Sequence, residues 1–89
     1  MKEKIDWDLA GWILRSPNRV KVLKLFEIPL TPNIISKKAN MSLTHASKIV
    51  RELAVKKLLV CLNEKAKLGR IYKRTKQGNQ LIDYIKKIT

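Results

Sequence analysis

The side chains that carry most catalysis are scarce in this chain, while those that bind anions are abundant. One histidine, His45, one cysteine, Cys61, and seven scattered acids stand against twenty lysines and arginines in 89 residues. His45 has no companion ligands at metal-binding spacing, so no metal and no cofactor is expected. Ser47 has no base arranged to activate it. Cys61 can make neither an internal disulfide nor a zinc cluster. It sits in an apolar run and reads as a small core residue; a redox role would need an exposed thiolate. What remains is charge-assisted hydrogen bonding by ammonium and guanidinium groups. Such chemistry binds and does not transform, so an enzyme is not expected.

The charge is unevenly distributed. The formal net charge is +13. Residues 1–30 carry six bases and four acids, and residues 31–89 carry fourteen bases and three acids. A basic excess confined to one part of a small chain is the electrostatic footprint of a polyanion partner. The bases alternate with apolar residues, which argues against a disordered basic tail. With 45% hydrophobic residues the chain can build one core, and its length argues against two. No apolar run approaches membrane-spanning length, and no secretory leader is recognised. The expected location is therefore cytoplasmic, associated with the nucleoid.

The bases need elements to position them. Ile5, Leu9, Trp12 and Ile13 form a one-sided helical stripe, with Asp6 and Asp8 suited to its first turn. Ser16-Pro17 opens a second helix whose buried face runs through Val20, Leu23 and Phe26, with Val22 and Leu25 alongside; Pro29 ends it. Thr31-Pro32 opens a short third helix reaching Ala39, and Asn40 suits a left-handed turn. Ser42 caps a longer helix, Leu43 to Lys56, with Ala46, Ile49, Val50 and Leu53 on its apolar face. At about 100° per residue, its opposite face centres on Thr44, Lys48 and Arg51, flanked by Ser47 and His45. The pattern then changes to two strands, Leu58 to Leu62 and Arg70 to Arg74, around a polar loop ending in Gly69. Thr75 begins a last helix striped by Leu81, Ile82, Tyr84, Ile85 and Ile88. The expected fold class is mainly α with a small β-hairpin.

This order resembles a winged helix-turn-helix. The stretch Thr31-Pro-Asn-Ile-Ile-Ser-Lys-Lys-Ala-Asn-Met-Ser-Leu-Thr-His-Ala-Ser-Lys-Ile-Val-Arg-Glu-Leu53 looks like the helix-turn-helix of MarR/ArsR-type transcriptional regulators. Ser16 to Phe26 is similar to the helix that opens such domains. Gly69-Arg-Ile-Tyr-Lys-Arg-Thr75, followed by Gly78, resembles the wing strand and the start of the last helix. The cadence is most like small archaeal members. The likeness covers about residues 16–88, and it implies a single domain over 1–89 with the helix-turn-helix at about 32–57 and the wing at about 58–75. There are departures. Ser36 stands where the family prefers alanine, Asn40 where it prefers glycine, and an undersized Ala46 where it places a larger aliphatic residue. Lys56-Lys57-Leu58 replaces a common Lys-Gly-Leu, so either Lys57 is strained or the chain leaves the helix differently.

The resemblance assigns roles. The helix over 43–56 becomes the recognition helix in the major groove of double-stranded DNA, with Ser42, Thr44, His45, Ser47, Lys48 and Arg51 at bases or phosphates. The wing over 63–70 goes to the minor groove or adjacent backbone through Lys65, Lys67 and Arg70, with Arg70 expected to insert. Thr31, Lys37 and Lys38 are phosphate contacts. Of Lys73 and Arg74, one is expected to face the body of the domain. The terminal helices, 5–14 and 79–88, are expected to build a homodimer, with Trp7, Trp12 and Tyr84 in core or dimer packing. A DNA-binding transcriptional regulator is the leading expectation. The alternatives are an architectural DNA binder with little sequence preference, or a module binding RNA or an acidic protein.

Overall fold

Five short polar side chains punctuate the chain, and each opens a helix. The computed structural model describes residues 5–88, so the charges of Lys2, Glu3 and Lys4 lie outside the described residues. Helix α1 spans Trp7–Leu14, α2 Pro17–Leu25, α3 Pro32–Ala39 and α4 Leu43–Val55. Strands β1, Leu59–Cys61, and β2, Tyr72–Arg74, follow, and α5 spans Lys76–Ile88. Asp6 accepts from the Leu9 N–H at 3.1 Å, Ser16 from Arg19 at 3.3 Å and Thr31 from Ile34 at 3.3 Å. Ser42 accepts from His45 at 3.1 Å, and Thr75 from Gly78 at 3.0 Å. Each bond satisfies a first-turn donor that the helix cannot satisfy internally. Pro17 and Pro32 stand at helix starts, where their missing N–H is no loss.

The turn between α3 and α4 is set by Asn40, at φ 55°. The Met41 N–H returns to the Ser36 carbonyl at 3.0 Å, closing the end of α3. The Lys21 ammonium adds a bond to the Ala39 carbonyl at 2.9 Å, a cation at the negative end of the helix. Ala39 and Ala46 are both buried on the facing helices, which lets α3 and α4 approach closely. The undersized Ala46 is thus used, not merely tolerated. After α4, Lys57 takes φ 64° and turns the chain into β1. The departure from Lys-Gly-Leu is met by strain at Lys57, with the path of the chain preserved.

The core joins every helix to the sheet. Ile13 of α1, Val22 and Leu23 of α2, Ile35 of α3, Val50 and Leu53 of α4, and Ile82 and Ile85 of α5 are essentially inaccessible to solvent, as is Leu58 ahead of β1. Several expected details shift. The buried face of α2 centres on Val22, Leu23 and Phe26, with Val20 half-buried, because α1, α3 and α4 all pack against this helix. The helix ends at Leu25, four residues before Pro29, because Phe26 already leaves helical geometry at ψ 47°. The strands are three residues each, shorter than expected, pairing Leu59 with Arg74, Val60 with Lys73 and Cys61 with Tyr72. Cys61 is half-buried against the core, not within it. A third chain segment joins the sheet: Leu30 exchanges both backbone hydrogen bonds with Tyr72, at 3.0 and 2.9 Å. This bridge ties the start of the helix-turn-helix to the wing. No described helix is long and apolar enough to cross a membrane.

Candidate nucleic-acid interface

Helix α4 turns Ala46, Ile49, Val50 and Leu53 inward, so the expected outer face is exposed as the helical period requires. Thr44, His45, Lys48 and Arg51 are solvent-accessible, and Ser47 is half-buried. Between this helix, the start of α3 and the wing lies an open groove of about 510 Å³. Thr31, Thr44, Ser47, Arg51, Lys67 and Arg70 all line it. Its lining contains three bases and no acid. The Leu30–Tyr72 bridge joins two parts of its lining, because Thr31 follows Leu30 and Arg70 lies two residues before Tyr72.

Other expected site residues stand apart. Lys37 and Lys38 occupy the last turn of α3, the far end of that helix from Thr31, about 10 Å along its axis. Lys65 lies on a separate hollow beside Cys61, Asn63 and Glu64. Ser42 and His45 are exposed near the start of α4 without lining the groove. Lys48 faces a second hollow with Trp12, Arg19, Glu52, Val55 and Lys56. Arg51 lines both hollows and forms the ridge between them. Of the two strand bases left open, Lys73 is exposed, while Arg74 faces inward and buries its Nε and one Nη without a hydrogen-bond partner.

The second hollow was not legible as a site. The Arg19 guanidinium lies over the Trp12 ring, 4.2 Å from its centre, and the Lys56 ammonium lies 5.2 Å from the same centre. Arg19 also meets Glu52 at 3.4 Å. Trp12 therefore anchors two cations beside α4. The sequence signal for it was an aromatic residue on the polar margin of the α1 stripe.

The wing is a braced loop. The Asn63 side chain accepts from the Ile71 N–H at 2.7 Å and donates to the Gly69 carbonyl at 3.2 Å. The Cys61 thiol donates to the same Asn63 oxygen at 3.6 Å. Arg70 folds back: its Nε donates to the Ala66 carbonyl at 2.8 Å and one Nη to the Glu64 carbonyl at 3.0 Å. The residue expected to insert is thus a brace of its own loop, and the tip is formed by Lys67, Leu68 and Gly69. In the sequence Leu68 stands within a mostly polar run. The signal was an aliphatic residue with no helical or strand partner, placed directly before the turn glycine. Among the described residues no group of three His, Cys, Asp or Glu could hold a metal ion.

Helix, turn, helix and braced hairpin, closed by a final helix, define a winged helix-turn-helix. Solved structures of this class superpose on the chain. A multiple antibiotic-resistance repressor (MarR) from Listeria monocytogenes matches with a TM-score of 0.75 at 17% identity, over 90% of this chain and 56% of that protein. A homodimeric winged helix-turn-helix DNA-binding domain from Mycobacterium bovis, a possible ArsR-family transcriptional regulator, matches with a TM-score of 0.75 at 17% identity, over 99% of this chain and 89% of that domain. A transcriptional regulator from Thermotoga maritima matches with a TM-score of 0.66 at 20% identity, over 90% of this chain and 67% of that one. The chain thus spans little more than half of the Listeria protein. No family model and no curated protein sequence matches it.

Proposed function

We propose that the protein is a double-stranded DNA-binding transcriptional regulator that places α4 in the major groove and the wing, residues 63–70, on the minor groove or adjacent backbone. The observation that carries this is the acid-free groove in which Thr31, Thr44, Ser47, Arg51, Lys67 and Arg70 converge from three segments. Phosphates fit such a lining, and base edges lie within reach of the α4 side chains. Arg51 is assigned to a base, Lys67 to phosphate and Arg70 to holding the wing. Thr44 and Ser47 contact bases or phosphates, and Thr31 lies where a phosphate would approach the start of α3. Ser42, His45 and Lys48 extend the contact along α4, and Lys37, Lys38 and Lys65 add outlying positive charge.

The working form is a homodimer through residues 5–14 and 79–88. The Trp7 and Tyr84 rings meet edge to face at 5.3 Å, which joins α1 and α5 into one surface. Trp7 remains 65% exposed on that surface, with Ile88 half exposed. The Mycobacterium bovis domain of the same fold is homodimeric. A two-fold dimer would present its recognition helices at half-sites about 34–36 Å apart.

The test is fluorescence anisotropy with a random-sequence duplex, titrated with salt and competed with RNA and with the DNA upstream of the protein's own coding sequence. Steep salt dependence with preferential competition by the upstream DNA is the expected result. Equal competition by all duplexes would replace regulation with an architectural role. Failure of duplex DNA to bind would sink the proposal and move the fold to RNA or acidic protein partners.

A further inference from the structure

The most exposed large apolar side chain among the described residues is Leu68, at 89%. It sits at the tip of a loop that is held rather than loose. Asn63 clamps the loop at Gly69 and Ile71, Arg70 clamps it at Ala66 and Glu64, and the Ala66 N–H closes onto the Asn63 carbonyl at 2.9 Å. Gly69 takes φ 66° immediately afterwards, a backbone conformation that sets the direction of the tip. With Arg70 folded back, the tip presents Leu68 next to Lys67. Both residues line the groove opposite Arg51.

A leucine held out in water among cations has no role in the core, and nothing within the fold covers it. Its surroundings are suited to a polyanion, yet leucine itself makes no bond to phosphate. The structure that offers both together is the minor groove, where phosphates line the rims and apolar sugar and base surfaces line the floor. Apolar side chains can enter there between base steps, unstacking them and bending the duplex by roughly 20–90°.

We propose that Leu68 is an apolar wedge that enters the minor groove of bound DNA and partly unstacks a base step, so that binding bends the duplex. This rests on the DNA-binding reading of the same groove. Lys67 would hold the adjacent phosphate, and the Asn63 and Arg70 clamps would keep the tip stiff enough to push. Pyrimidine–purine steps, which unstack most readily, would be the favoured positions. Specificity would then arise partly where no hydrogen bond reads a base.

The experiment uses the intact protein with a set of duplexes carrying 2-aminopurine at successive TA steps and a donor–acceptor dye pair at the ends. Binding is followed separately by anisotropy. With the native protein, 2-aminopurine emission should rise at one or more steps and the end-to-end distance should shorten. Leu68→Ala should lose both signals and bind more weakly, with an unchanged salt slope; Leu68→Met should retain both. Because Leu68 packs against nothing, Leu68→Ala should fold normally, checked by circular dichroism. Duplex binding without unstacking or bending would overturn the wedge and leave the DNA-binding reading intact, as would retention of both signals by Leu68→Ala. No duplex binding at all would overturn both.

Discussion

Gly78 lies directly against the carbonyl group of Leu58. A Cβ at position 78 would overlap the carbonyl oxygen, well inside van der Waals contact, and would lie 3.2 Å from the carbonyl carbon. The two residues join α5 to the exit of α4, and the bond from the Thr75 N–H to the Leu58 carbonyl at 3.0 Å holds them together. The Thr75 hydroxyl reinforces the joint by donating to the Lys57 carbonyl at 2.7 Å. Two backbones meet here with no flexible side chain between them.

Gly78→Ala should therefore destabilise the protein despite the better helix propensity of alanine. Alanine recovers about 1 kcal/mol of intrinsic propensity. Backbone displacement at a packed joint costs about 1–3 kcal/mol or more, and this side should prevail. The expected result is a lower thermal midpoint, since 1 kcal/mol is worth roughly 4–8 °C in a domain of this size. A midpoint equal to or above that of the native protein would show that α5 can shift freely.

Lys57 offers the opposite case. Its φ of 64° strains a side chain that carries a Cβ. Lys57→Gly removes strain of about 1–2 kcal/mol. It gives back roughly 0.5–1 kcal/mol through the greater freedom of glycine in the unfolded chain. A net gain of several tenths of a kcal/mol is expected as a higher urea midpoint with unchanged slope. A lower midpoint would mean that the exposed Lys57 side chain stabilises the turn in a way that outweighs its backbone strain.

The contrast between such positions explains what could be read from the sequence. Ser16, Thr31, Ser42 and Thr75 act on N–H groups three residues away, so each was visible in a short window; Asp6, expected in the first turn beside Asp8, is instead the cap of α1. Asn40 was visible for the same reason. The outward face of α4 follows from the helical period once Ala46, Ile49, Val50 and Leu53 are inside. The Leu30–Tyr72 bridge was not visible, because it is a single pairing across more than forty residues of chain with no strand pattern on one side. The fold-back of Arg70 was not visible, because residue type does not say where a guanidinium points. Its target carbonyls, at Glu64 and Ala66, exist only once the loop has formed. Arg19 over Trp12 depends in the same way on how α1 and α2 pack.

Two substitutions separate base reading from charge in the groove. Arg51→Ala should relax sequence preference at one base position by about 1–3 kcal/mol if Arg51 donates to a base edge. Lys67→Ala should weaken all duplexes similarly and lower the salt slope by about one. Competition titrations at several salt concentrations check both. If neither substitution alters binding, the DNA-facing surface lies elsewhere on the domain.

Trp7 tests the assembly. Its exposed ring and its contact with Tyr84 place it where an aromatic hot spot would sit in a dimer through α1 and α5. Trp7→Ala should raise the dimer dissociation constant by the equivalent of about 2 kcal/mol or more. Sedimentation equilibrium of the native and variant proteins measures this. A native protein that sediments as a monomer at micromolar concentration would remove the dimer.

Arg70 decides between a brace and a probe. As a brace, it contributes two charge-assisted bonds within the free protein, to Ala66 and Glu64. Its loss should then loosen the wing before any DNA is present. Arg70→Ala should speed hydrogen exchange at the Ala66 and Ile71 amides, both of which bond to Asn63. An acceleration of about five-fold corresponds to roughly 1 kcal/mol of local opening. The thermal midpoint should barely move, because the wing loop, residues 63–70, supplies no residue to the buried core. Arg70→Lys should not restore protection, since one ammonium cannot reproduce the forked geometry of the guanidinium. Unchanged exchange in the free variant, together with a loss of affinity for DNA, would instead return Arg70 to the minor groove as an inserting side chain.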